Sequence, residues 1–145
     1  MSEQREVKIV TYGNEEELMK HLPDLSDVPS EQLALSIAQI LNQSHAQDIR
    51  ILDVRGKSDV TDFYVLATAQ SGVQVQAIAG TLEDLTTRKG FAPLRKEDLN
   101  SRVWAALDFG SVLVHIMFHE SRAFYNLEKL YSDADCIIPV EASEV

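Results

Sequence analysis

The segment from Arg102 to Phe118, "RVWAALDFGSVLVHIMF", constrains the fold more than any other part of the chain. Two β-prone runs flank Gly110-Ser111, a pair suited to a tight hairpin turn. With that turn, Phe109 faces Val112, Leu107 faces Val114 and Ala105 faces Ile116. Side chains alternate along a strand, so these six share one face, and that face is wholly apolar. It must be core. The opposite face carries Arg102, Trp104, Ala106, Asp108, Leu113, His115 and Met117, a mixture that fits either a place under a helix or presentation to a partner.

Around the hairpin the pattern predicts further elements. Leu33, Ile37, Ile40 and Leu41 recur at helical spacing after Ser30, with Glu31 in the first turn, so a helix is expected to about residue 44. "DIRILDV" (48–54) and "TDFYVLAT" (61–68) read as strands joined by a polar loop. Ser71 and Gln74 have capping-box spacing, Val75, Ile78, Leu82 and Leu85 form one helical face, and Gly90 after Arg88-Lys89 is a stop signal. A last helix is expected over about 120–131, with Ala123, Phe124, Leu127 and Leu130 inward and Arg122, Tyr125, Glu128 and Lys129 on its other faces. The resulting fold class is α/β, a mixed sheet flanked by helices. Residues 1–28 read as an N-terminal extension holding a short strand and a turn or two of helix; 29–135 form the regular domain; 136–145 read as an acidic, poorly ordered tail.

Composition narrows the functions. A chain of 145 residues with 45% hydrophobic and 25% charged residues is long enough to bury one ordinary core without a disulfide or structural metal. The lone Cys136 cannot pair internally. No apolar stretch reaches the roughly 18–20 residues of a spanning helix, and the acidic N-terminus does not resemble a transit peptide, so a cytoplasmic protein is expected. Acidic residues outnumber basic ones by 23 to 13, a net charge of −10 that repels a phosphate backbone. Direct nucleic-acid binding, which depends on Lys and Arg, is therefore not expected, whereas a basic protein partner would be attracted.

Candidate chemistry begins with the aspartates of "GKSDVTDFYVLAT" (56–68). Carboxylates sharing a metal from one strand need Asp-x-Asp spacing, but Asp59 and Asp62 are three apart and would face opposite sides. Asp108, the third carboxylate a metal site would recruit, belongs to a different strand. Loop residues that accept backbone N–H bonds are the simpler account of the first two. His115 and His119 have the spacing of a zinc-binding helix, yet in a strand they would stand about 13 Å apart, too far for one zinc. A strand histidine satisfied by a neighbour and a second at a helix entry are expected instead. Neither a G-x-S-x-G nucleophile motif nor a glycine-rich phosphate loop occurs.

Together the motifs resemble a known family. Asp62-Phe63 heads a strand; Ser71 precedes a helix containing Ala77-Ile78-Ala79; Trp104 leads to Leu107-Asp108-Phe109-Gly110 and then Val114-His115; Arg122-x-Phe124-Tyr125-x-Leu127-Glu128-x-Leu130 closes with Asp133-Ala134. This collinear set, over about residues 30–135, resembles the ribosomal silencing factor family, also called Iojap-like proteins. The resemblance implies a nucleotidyltransferase-like topology without the catalytic set, and hence no enzyme activity and no cofactor. It also implies binding to a protein on the subunit-joining face of the large ribosomal subunit, which sterically keeps the small subunit away and represses translation. Motif position and expected exposure nominate Trp104, Asp108, Arg122, Tyr125, Glu128 and Lys129 as partner-binding residues. The sequence departs from the family pattern at Ser111, where an acidic residue is common, at Gln74, near a frequent histidine, at Leu99-Asn100, near a frequent Glu-Gly pair, and at Tyr131, where Trp is common. Two rivals stay open: a metal-dependent nucleotidyltransferase or phosphohydrolase using Asp59, Asp62 and Asp108, and a homodimeric scaffold that pairs the mixed hairpin face with itself.

Overall fold

The hairpin forms as its alternation dictates. In the computed structural model, which describes residues 2–99 and 102–142 apart from the side chains of Phe124, Tyr125 and Leu130, β5 (Trp104–Asp108) and β6 (Val112–Phe118) pair antiparallel. Ala105 lies opposite Ile116 and Leu107 opposite Val114, and the Phe109 N–H donates to the Val112 carbonyl at 2.9 Å. Gly110 takes φ +83°, a left-handed value that glycine adopts without a Cβ clash. The Asp108 carboxylate accepts the Gly110 N–H at 2.8 Å, and the Ser111 carbonyl accepts from both Asp62 N–H and Phe63 N–H at 3.1 Å. The turn is thereby fastened to the start of β3.

The remaining elements follow in chain order: β1 (Gln4–Ile9), α1 (Glu15–His21), α2 (Ser30–Gln43), β2 (Gln47–Asp53), β3 (Phe63–Ala69), α3 (Gly72–Arg88), β4 (Arg95–Leu99), then β5 and β6, α4 (His119–Tyr125), α5 (Leu127–Leu130) and β7 (Asp135–Glu141). One seven-stranded mixed sheet runs β1-β7-β2-β3-β6-β5-β4, with β3 parallel to β6 and β1 parallel to β7. This is the expected α/β class. The α3 cap also forms: Ser71 accepts the Gln74 N–H at 3.1 Å. The Gln74 side chain instead accepts from the Gln70 N–H, one residue before the partner a capping box would give it. At the other end Gly90, φ +96°, donates to Thr87 O while Phe91 donates to Thr86 O, a Schellman closure.

One face of the sheet is sheathed. Phe63, Val65, Ala105, Leu107, Val112, Val114 and Ile116 pack there against Leu33, Ile37, Leu41, Val75, Ile78 and Leu82 of α2 and α3. The same core takes Leu18, Leu22 and Leu25 from the N-terminal segment and Ile137 from β7. Three expectations need correction. The tail expected from residue 136 is instead β7, lying between β1 and β2 with Ile137 at 3% exposure. The helix expected over 120–131 is broken at Asn126, whose φ of +45° ends α4 and turns the chain into α5. Ala123, expected inward, is exposed.

Candidate functional site

The mixed face of the hairpin lies partly under a helix and is partly open. Toward one end it lies under α4: Met117 is fully buried, and the Arg122 guanidinium donates to the Thr68 hydroxyl at 2.9 Å and to the Asp48 carbonyl. Toward the other end Trp104, Ala106, Asp108 and Leu113 remain half-buried.

Two pockets meet on this open part. The first, about 280 Å³, has Leu52, Leu66 and Leu113 as apolar lining, with Tyr64, Trp104, His115, Leu127 and Tyr131 around it. The second, about 180 Å³, shares Leu113 and His115 and reaches Asp108 of β5 and Arg95 and Glu97 of β4, which face each other at 3.4 Å. An apolar hollow thus adjoins a charged one, with His115 common to both.

Register explains the chemistry of the first pocket. His115 stands directly opposite Ala106, so Trp104 is its diagonal neighbour across the ladder, within reach of a long aromatic side chain. The Trp104 Nε1–H donates to His115 Nδ1 at 2.8 Å. An indole nitrogen only donates, so Nδ1 carries no proton and the ring hydrogen sits on Nε2. Burial pushes the His115 pKa down to about 4, so the ring is neutral at neutral pH. Tyr64, whose ring lies 5.1 Å from that of Tyr131, is pushed up to about 12, by burial first and then by a hydrogen bond with Tyr131. Both groups are uncharged at neutral pH. The hollow suits an uncharged apolar group.

The nominated residues divide accordingly. Trp104 and Asp108 lie on the open face; Asp108 also caps the turn. Arg122 is mostly internal, 10% exposed, and its Nε donates to Glu128 at 3.0 Å; Glu128 is 40% exposed. Lys129 is exposed, and the Tyr125 side chain lies outside the described ones. His115 is the strand histidine satisfied by a neighbour, and His119 begins α4. Sequence reasoning missed Leu52, Tyr64, Leu66 and Tyr131 as pocket residues, because the packing of the 127–131 segment over β2 and β3 has no local signal.

The aspartates are dispersed in their bonding. Asp62 accepts the Ser30 hydroxyl at 3.2 Å, rather than a backbone N–H as a turn residue would. Asp108 takes the turn role. Asp53, at the end of β2, forms a two-pronged pair with Arg55 at 3.0 and 2.6 Å, which holds its carboxyl below the usual range. Among the described residues, no group of three or more His, Cys, Asp or Glu side chains is placed to hold a metal ion. No helix of the described residues is long and apolar enough to cross a membrane.

Fold and surface together define an α/β domain with one sheet face sheathed by helices and the other open over its hairpin, where a neutral aromatic pocket adjoins charge. Comparison with known proteins identifies the family. The chain belongs to the family described as "Ribosomal silencing factor during starvation", whose profile matches residues 27–145. It is 36% identical over 97 residues to the ribosomal silencing factor of Bacillus subtilis, a match covering 67% of this chain and 82% of that one. It is 38% identical over 108 residues to the chloroplastic protein Iojap of Zea mays, covering 74% of this chain but 47% of the maize protein, so the chain spans about half the length of that relative. A solved structure from Bacillus halodurans, 32% identical, superposes with a TM-score of 0.62 over 70% of this chain and 94% of that one. One from Chromobacterium violaceum, 25% identical, gives 0.69 over 72% and 88%.

Proposed function

We propose that this chain binds a basic protein on the subunit-joining face of the large ribosomal subunit, blocks joining of the two subunits by occupying that face, and so represses translation in the cytoplasm without catalysing a reaction. The family match across residues 27–145 carries this reading. Trp104 and Asp108 on the hairpin, with Tyr125, Glu128 and Lys129 from α4 and α5, form the contact surface; Arg122 holds α4 in place beneath it. Support comes from the adjoining pockets, one neutral and apolar, the other bearing Asp108 and the Arg95–Glu97 pair. A central apolar hollow beside charged groups is the anatomy of a protein-binding surface. The chain's net charge of −10 favours encounter with a basic partner.

The test is sedimentation of the full chain with purified large subunits at moderate salt, followed by addition of small subunits. Co-sedimentation and fewer joined particles are expected, and Trp104→Ala should weaken both while still unfolding cooperatively, its melting temperature lowered by only a few degrees because His115 Nδ1 loses its donor. Failure of the wild-type chain to co-sediment would remove the reading. If Trp104→Ala loses the fold instead, Trp104 is core and the surface is misplaced.

A further inference from the structure

A histidine is an odd occupant of the middle of β6. Its neighbours in the strand are Val112, Leu113, Val114, Ile116 and Met117, and at 9% exposure a leucine would pack there with no polar group to satisfy. Burying a polar group costs free energy unless it is bonded. The bond it has is to Trp104. Ala106, the residue directly opposite, is small, so the indole reaches diagonally past it and tilts at 52° to the imidazole, 5.6 Å between centroids. On its other side His115 meets the Tyr64 ring at 5.8 Å. The imidazole is therefore held between β3 and β5, and its acceptor nitrogen is aimed at one indole.

We propose that His115 is a positioning residue: its Nδ1 fixes the orientation of the Trp104 indole at the wall of the apolar pocket, so that the binding surface is set before the partner arrives. The affinity half of this inference rests on the reading of the surface as partner-binding; the orientation half does not. A large aromatic anchor held in one rotamer loses less freedom on binding than one that must be ordered at that moment. Trp104 is the only tryptophan in the chain, so its fluorescence reports on this one side chain.

Leucine and asparagine have the same branched shape, and only asparagine places an acceptor where Nδ1 stands. His115→Leu should keep or raise the melting temperature, yet give Trp104 faster anisotropy decay and a shifted emission. Its affinity for large subunits should fall about three- to tenfold, the range for ordering one side chain. His115→Asn should restore both readouts toward wild type. Identical Trp104 anisotropy in the wild type and both variants would overturn the positioning role, as would equal loss in Leu and Asn. Slowed motion in the wild type without wild-type co-sedimentation would uphold the orientation half and overturn the affinity half together with the proposed function.

Discussion

Trp104 and His115 illustrate how a residue can be visible in a sequence while its task is not. The hairpin register was legible from alternation, and it alone makes 104 and 115 diagonal neighbours; the hydrogen bond between them depends on the small Ala106 and the crowding Tyr64, which alternation does not report. The buried ring has a measurable consequence. An unfolded chain takes a proton on this histidine from about 6.5 downward, whereas the folded one, its pKa lowered to about 4 by burial, refuses until then. Protons bind the unfolded state in excess across that window, so stability falls as pH falls from about 6.5 to 4. At 1.36 kcal/mol per pKa unit the accumulated loss is about 3 kcal/mol. The groups facing the ring are the Trp104 donor and the Tyr64 ring, with Asp108, Arg95 and Glu97 across the second pocket. Urea midpoints of wild type and His115→Leu at pH 7 and pH 4.5 should diverge in slope, the variant losing less; parallel loss in both would mean that the carboxylates, and not His115, govern this window. Arg122 gives a second residue-scale prediction. Replacing it by alanine leaves the buried Thr68 hydroxyl without that donor and detaches α4 from β2 and β3, a cost of about 2–3 kcal/mol. Lysine should not rescue it, since one ammonium cannot reproduce bonds from Nε and Nη1. A urea melt within about 0.5 kcal/mol of wild type would return Arg122 to the ordinary surface.

Elements with one apolar face were readable, and those built from the backbone were not. α2, α3, β2 and β5 have buried residues that recur at a helical or strand period, and β3 and β6, buried on both faces, are rich in β-branched and aromatic residues. β4 does not: Arg95, Lys96, Glu97 and Asp98 are all exposed, and the strand exists because its backbone pairs with β5 at the edge of the sheet. Charged edge strands of this kind discourage pairing with other chains. β7 was missed because Ile137, Ile138, Pro139 and Val140 run together instead of alternating, and only Ile137 is buried. Asn126 hides a break because asparagine enters the left-handed region readily and carries no other mark. The tail reading and the observed strand differ in a testable way. A chain ending at Ala134 should lose cooperative thermal unfolding, since β1 would be left without a partner and β2 with a bare edge where Ile137 packs. An unchanged melt would mean that residues 135–145 are the dispensable tail after all.

Over the whole molecule the decisive quantity is charge. A chain at −10 approaching a ribosomal subunit meets two opposing fields, repulsion from RNA phosphates and attraction to any basic protein on the surface. At an ionic strength of about 0.01 M the screening length is about 30 Å, and the RNA field reaches the incoming chain long before a single protein does; at about 0.1 M it is about 10 Å, and only nearby groups are felt. Added salt should therefore speed association with whole large subunits over this range, by removing long-range repulsion, while under the proposed docking through the neutral apolar pocket the dissociation rate should change little. With the isolated basic protein partner the sign should reverse, because attraction is what salt then removes. Stopped-flow measurements using Trp104 emission on both targets would read the two signs. A steep fall in affinity for whole subunits with rising salt would be the signature of Lys and Arg contacts to phosphate, and it would replace a protein-docking surface by a nucleic-acid one.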